Sequence, residues 1–318
     1  MKKIFSATLI FAAFFAHAQQ IPLFSQYLNN DFLLNPAVAG TKSYTPVSIS
    51  ARLQWVNFNG APSNQLGSIH SAITKNVGVG FAVTNFTAGP TRMTSAQFAY
   101  AYRFKVSEKV KLSFGLAPML MQQSIAKDKI ILENASDNTF NKMNGKTTIA
   151  DLNAGVYAYG AKWTVGLSVP QVLENKVRLS DDLFTERLRR HYMLFGSYDF
   201  ACSGKYTITP SALIKMVENG APLQFDVNVR ATYDNLFWVG LSYRGATSQS
   251  FNEAAVVLVG IQKNNFIFGY SFDYGFSSIR SYSMGSHEVF LTYRIPCRDC
   301  DKAAPVTPPA ETSAKESQ

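Results

Sequence analysis

The sequence predicts an all-β protein, a transmembrane antiparallel β-barrel of about fourteen strands. Three observations predict it. Short segments alternate between an apolar and a polar face, tight turns alternate with longer connections along the chain, and the composition is rich in aromatics and poor in charge. Aromatic residues make up 13 % and charged residues 16 %, against about 25 % charged in an ordinary soluble domain.

Leu223 to Tyr233 carries the alternation most clearly. Leu223, Phe225, Val227, Val229, Ala231 and Tyr233 share one face, and Gln224, Asp226, Asn228, Arg230 and Thr232 share the other, because successive side chains of a strand point to opposite sides. The pattern recurs with Val47, Ile49, Ala51 and Leu53 against Ser48, Ser50, Arg52 and Gln54, and with Phe98, Tyr100, Tyr102 and Phe104 against Gln97, Ala99, Ala101 and Arg103. In a soluble sandwich the apolar face would be core, and in a barrel it would meet lipid. Alternation alone does not choose between the two, whereas the composition and the connections favour the membrane.

Strands are expected near 45–54, 65–74, 77–86, 93–104, 110–122, 148–160, 162–169, 190–200, 205–216, 223–233, 236–244, 253–263, 265–274 and 286–295, an even number as in single-chain bacterial barrels. Turn-forming residues mark short connections at 75–76, 105–109, 160–161, 201–204, 234–235 and 263–264. Longer connections are expected at 55–64, 87–92, 123–147, 170–189, 217–222, 245–252 and 275–285. An even barrel leaves both chain ends on the short-turn, periplasmic side. Near strand ends lie Trp55, Phe58, Phe86, Tyr159, Trp163, Phe200, Tyr206, Tyr233, Phe237, Trp238, Tyr274 and Tyr293, where aromatic girdles meet the membrane interface.

The domain layout follows. Residues 1–18 have the form of a secretory signal peptide: Lys2 and Lys3, an apolar run from Ile4 to Phe15, and the small-x-small site Ala16-His17-Ala18. No cysteine follows that site to accept a lipid. Residues 19–44 form a short periplasmic or plug segment, 45–296 the barrel, and 297–318 a Pro-, Ala- and Thr-containing periplasmic tail expected to be disordered. Removing Lys2 and Lys3 from 30 basic residues leaves 28 against 21 acidic ones. These are scattered, and the cluster Arg187, Arg189, Arg190 and His191 is expected to be a solvated loop, so no nucleic-acid partner is expected.

No catalytic constellation is visible, and no enzymatic activity or cofactor is expected. His70, His191 and His287 lie in or beside strands without a second ligand at metal spacing, and neither a nucleophile elbow nor a phosphate loop occurs. Asp181-Asp182 is too little for a calcium loop. Cys297-Arg298-Asp299-Cys300 has two of the four ligands a zinc site needs. Cys202 falls in a short turn on the same side, so a bridge from Cys297 or Cys300 would tie the tail to that turn and leave one of the three cysteines over. Spacing does not fix the connectivity.

The mature N-terminal region carries a run of specific motifs. Phe24-Ser25-Gln26-Tyr27-Leu28-Asn29-Asn30 leads to Leu34-Asn35-Pro36-Ala37-Val38-Ala39-Gly40, then to Arg52-Leu53-Gln54-Trp55-Val56-Asn57-Phe58-Asn59-Gly60-Ala61-Pro62, Ser68-Ile69-His70 and Lys75-Asn76-Val77-Gly78-Val79-Gly80. Gly89-Pro90, Tyr100-Ala101-Tyr102-Arg103 and Leu112-Ser113-Phe114-Gly115 continue it. This sequence resembles the PorP/SprF family of the type IX secretion system of Bacteroidetes. The resemblance implies an outer-membrane barrel that works with type IX components in secretion or surface attachment of cargo, including large adhesins with a C-terminal sorting domain. It assigns no role to Cys297 and Cys300.

On the residues themselves, Asn35, Pro36 and Gly40 form a turn-rich segment that plugs the lumen, docks a partner or covers the barrel mouth. Arg52, Gln54, Trp55, Phe58, Gly60, Pro62 and His70 complete the candidate plug and partner motif, with the Trp55–Pro62 loop folding inward or offering aromatic contacts. Two function classes remain: an interaction protein for type IX cargo with an occluded lumen, and a porin or hydrophobic-substrate channel with an open one.

Overall fold

The computed structural model describes residues 21, 24–130, 145–178, 185–202, 204–218, 221–247 and 252–297. Fourteen strands close into one antiparallel barrel. They are β1 (Tyr44–Leu53), β2 (Ser63–Ala72), β3 (Val77–Ala88), β4 (Thr91–Lys105), β5 (Lys111–Ile125), β6 (Lys146–Tyr159) and β7 (Trp163–Val169). Then follow β8 (His191–Tyr198, resuming at Phe200–Ala201), β9 (Tyr206–Val217), β10 (Gln224–Tyr233), β11 (Phe237–Ala246), β12 (Asn252–Lys263), β13 (Phe266–Gly275) and β14 (Ser286–Pro296). Each strand pairs with its sequence neighbours, and β1 closes the wall on β14 from Tyr44↔Pro296 to Leu53↔His287. Closure leaves no open edge, so the backbone groups of the wall find partners without water, which lipid cannot supply. No described helix is long and apolar enough to cross a membrane.

The alternating pattern sorts as a barrel requires. Val227 and Val229 face out while Asp226 and Asn228 are buried inside. Phe98, Tyr100, Tyr102 and Phe104 face out while Ala99, Ala101 and Arg103 are buried. Three girdle expectations need correction. Phe86 shares the inward face of β3 with Ala82 and Thr84 and lines an interior cavity. Tyr159 points inward and stacks 5.3 Å from Tyr157, and Trp238 points inward beside Phe290 at 6.2 Å, while its neighbour Phe237 keeps the outer position. Side-chain direction flips with every residue, so nearness to a strand end did not fix the face.

The connections also differ in one place. The expected longer loop at 87–92 is the turn Gly89-Pro90, because β3 and β4 extend to Ala88 and Thr91. β4 and β5 are 15 residues each, longer than the roughly 9–11 that cross a bilayer. The polar ends of these strands read as loop in the sequence, yet they continue the ladder beyond the apolar band. Between β7 and β8 a small hairpin pairs Lys176–Arg178 with Thr185–Arg187. Residues 131–144, Asp181-Asp182 and the 298–318 tail lie outside the described residues, as does the expected signal peptide at 1–18.

The expected tie from Cys202 to the C-terminal motif is absent. Cys202 is an exposed free thiol, whereas Cys297 is disulfide-bonded and packs against Ala72 of β2. β9, which follows Cys202, is separated from β14 by four strands of wall. At about 4.8 Å per strand that spacing far exceeds the reach of a disulfide.

Residues 24–43 lie inside the barrel, neither covering its mouth nor hanging free. Three short turns of 3-10 helix, Gln26–Asn29, Asp31–Leu33 and Pro36–Val38, compact the segment. Asn35 caps the third, with its side chain accepting from the Ala37 amide and Pro36 supplying the first helical position. Gly40, at φ 70°, releases the chain toward β1.

Candidate functional site

The plug crosses the lumen from end to end. Its first residues lie near the long-loop ends of β1, β13 and β14, and Gly40 lies at the short-turn end, where β2 stops and β3 begins. Its two ends are held by different physics.

At the short-turn end the wall offers a row of small residues. Gly78 of β3 faces Ala101 of β4, Ala101 faces Gly115 of β5, Gly115 faces Gly155 of β6, and Gly155 faces Ser168 of β7. One hydrogen-bonded row thus crosses five strands with almost no side chain, and the plug backbone lies directly on it. A Cβ on Gly78 would strike the Ala39 carbonyl, and one on Gly115 the Ala37 nitrogen. One on Gly155 would strike the Asn35 amide group. Asn35 is fully buried and completes the fit: Nδ2 donates to the carbonyls of Val156 at 2.9 Å and Leu167 at 3.1 Å, while Oδ1 accepts from Ala37 N at 2.8 Å. Ser168 donates to the Leu34 carbonyl at 2.6 Å. The Gly40 amide donates to His70 Nδ1 at 3.1 Å, and the His70 ring lies 4.9 Å from the Phe32 ring.

At the long-loop end the plug meets charge. Arg52 pairs with Asp273 at 2.8 Å and Glu288 at 3.4 Å, and Arg244 pairs with Asp226 at 2.7 Å and Asp273 at 3.0 Å. Lys215 lies 3.7 Å from Asp226. Three cations therefore face three carboxylates in a buried network, which holds only when geometry and hydrogen bonding are both good. Ser25 supplies that bonding. Its amide donates to Glu288 at 2.7 Å, its hydroxyl donates to Asp273 at 2.9 Å, and it accepts from Arg52 at 2.9 Å and Arg244 at 3.2 Å. The Gln26 amide adds a second bond to Glu288 at 3.3 Å.

Between the ends, Asn228 donates to the Tyr27 hydroxyl at 2.6 Å, Arg230 to Asn29 at 3.1 Å and Asn30 to Ser68 at 2.9 Å. Tyr157 and Lys42 both donate to Asp31, at 3.2 and 3.0 Å.

The structure gathers Asn35, Pro36, Gly40, Arg52 and His70 around the plug and sends the other candidates elsewhere. Gln54, Trp55, Phe58, Gly60 and Pro62 belong to the β1–β2 loop. Gln54 N donates to the Pro62 carbonyl, Trp55 N to Ser286 Oγ at 3.2 Å, and Gly60 accepts from Gly89 N. Phe58 is exposed. The sequence reading missed Ser25 and the partners Asp273, Glu288 and Arg244. It also missed the glycine row, whose signal was present as inward-parity glycines at 78, 115, 155 and 166.

The profile of the type IX secretion system membrane protein PorP/SprF family matches residues 16–293. The chain belongs to the PorP/SprF family. No curated protein matches it. Among solved structures, this PorP/SprF barrel is similar to a Pseudomonas aeruginosa FadL homologue, with 9 % identity, TM-score 0.48, and 81 % of this chain and 92 % of that one covered. It is similar to the Ralstonia pickettii toluene transporter TbuX, with 7 % identity, TM-score 0.47, and coverage of 82 % and 92 %. A deletion mutant of the monoaromatic hydrocarbon channel TodX gives 9 % identity, TM-score 0.49, and coverage of 85 % and 94 %.

Proposed function

We propose that this PorP/SprF protein is an outer-membrane component of the type IX secretion system that is needed for secretion or surface attachment of cargo such as large adhesins, and that it acts without catalysis. The observation that carries the reading is the plug. A lumen crossed by residues 24–43, seated on a glycine row and pinned in an ion-pair network, is built to stay closed. Cargo therefore does not pass through this barrel, and its role is to hold or receive a partner at one of its faces. Single-chain outer-membrane barrels place short turns in the periplasm. In that orientation the β1–β2 and β13–β14 loops face the exterior. They are paired by Val56 N to Gly285 O at 2.9 Å and Met284 N to Val56 O at 2.8 Å, and they expose Phe58, Tyr282 and Met284. That apolar patch suits a protein contact.

The test is the surface and secreted proteome of a strain lacking this gene. Loss of one large surface protein assigns a dedicated cargo partner, and loss of all type IX cargo assigns a core component. An unchanged proteome refutes the secretion role and favours the alternative, a porin or hydrophobic-substrate channel.

A further inference from the structure

The plug leaves interior space unfilled. A cavity of about 140 Å³ lies between the plug and the long-loop end. Phe24 and Leu33 of the plug line one side, and Pro170 and Pro222 come from connections at the long-loop end. Four methionines, Met93, Met119, Met121 and Met193, contribute from β4, β5 and β8. Gln97, Asn153 and Lys215 also border it, although most of the lining surface is apolar. A cavity of about 150 Å³ lined by apolar side chains accepts benzene. Methionine adds a flexible, polarisable lining that adapts to an occupant.

The lining also holds two buried acceptors without partners. His191 Nδ1 lies 2.7 Å from the Arg189 carbonyl, which can only accept, so Nδ1 carries the proton and Nε2 of the neutral ring is an acceptor. That Nε2 has no hydrogen-bond partner, and neither has Gln171 Oε1. His191 is 3 % and Gln171 4 % exposed, and a buried polar atom left unpaired is costly. Gln171 is moreover held at φ 59°, an unusual backbone for a residue other than glycine, with its backbone N–H donating to Asn153 Oδ1 at 3.0 Å. An apolar body with two waiting acceptors calls for an apolar ligand that brings a donor.

We propose that this cavity binds a small apolar molecule of about benzene size that carries a hydroxyl group, with the hydroxyl donating to His191 Nε2 or Gln171 Oε1. The site is independent of the secretion reading and does not require an open lumen.

The experiment is a titration of the full-length mature protein in lipid nanodiscs, labelled at methionine methyls, with phenol and with toluene as probes. The expected result is saturable movement of the Met93, Met119, Met121 and Met193 resonances. Met216 and Met284, both exposed outside the cavity, stay still. Phenol binds about five-fold tighter than toluene, the factor that one net hydrogen bond gives. Met193→Trp, which fills the cavity, abolishes both responses in protein that still shows the folded mobility of an unheated barrel on a gel. His191→Phe combined with Gln171→Met, which removes both acceptors, brings phenol to the toluene affinity while toluene still binds. Shifts that never saturate, or that move Met216 and Met284 in parallel, reveal partition into the bilayer only and overturn the site. Equal affinities of the parent protein for the two probes overturn the hydroxyl requirement.

Discussion

The two halves of the barrel wall hold the same plug by opposite means. On β3–β7 the wall removes its side chains, and the plug backbone fits against bare strands along Gly78, Ala101, Gly115, Gly155 and Ser168. On β1, β11, β13 and β14 the wall extends long charged side chains, and Ser25 completes a network of Arg52, Arg244, Asp273 and Glu288. Steric fit tolerates no added atom, whereas a charge network tolerates no missing partner. The first fixes where the plug lies, and the second fixes how its far end is fastened. The difference is testable because each half should fail in its own way.

The largest effect is expected from Gly115→Val. The added side chain meets the Ala37 backbone, which has no flexible end to yield. The plug should leave its seat, seen as new protease cleavage within residues 24–43 in folded barrels. Arg52→Ala comes next. It removes the cation shared by Asp273 and Glu288, and breaking a buried pair from one side costs about 3–5 kcal/mol. Urea unfolding in lipid vesicles should show that loss, with the short-turn end of the plug still protected from protease.

Asn35→Ala should be milder, about 1–3 kcal/mol for the bonds it withdraws from buried carbonyls and from the Ala37 amide, read by the same unfolding measurement. Gly67→Ala sharpens the comparison from below. Gly67 lies in β2 off the seat, and an added Cβ there meets nothing within 4 Å, so stability should change by less than about 0.5 kcal/mol. A loss at Gly67 as large as at Gly115 would show that the glycines serve strand formation and not the plug.

Much of the fold was legible because lipid makes a simple demand: the outer face must be apolar, and the inner face is free to differ. Val227 and Val229 against Asp226 and Asn228 met that demand openly. Where the strands leave the membrane the demand lapses, so the polar ends of β3 and β4 looked like a loop. Trp238 was misplaced because one residue separates a girdle position from a lumen position.

The candidate site was legible in part. Asn35, Pro36 and Gly40 announce a tight turn by residue type alone. The clamp did not announce itself, because Ser25 and Glu288 are 263 residues apart and inward charges occur in open and closed barrels alike. The glycine row was visible only as parity. Its meaning depends on the register that aligns Gly78, Gly115 and Gly155 across neighbouring strands.

The central claim is that this PorP/SprF barrel is closed by its own N-terminal segment. Single-channel conductance in planar bilayers tests it most directly, comparing the intact mature protein with a variant lacking residues 24–40. The intact protein should show no steady conductance, and the deletion variant should show stable open channels. A stable open conductance from the intact protein, unchanged by the deletion, would contradict the claim.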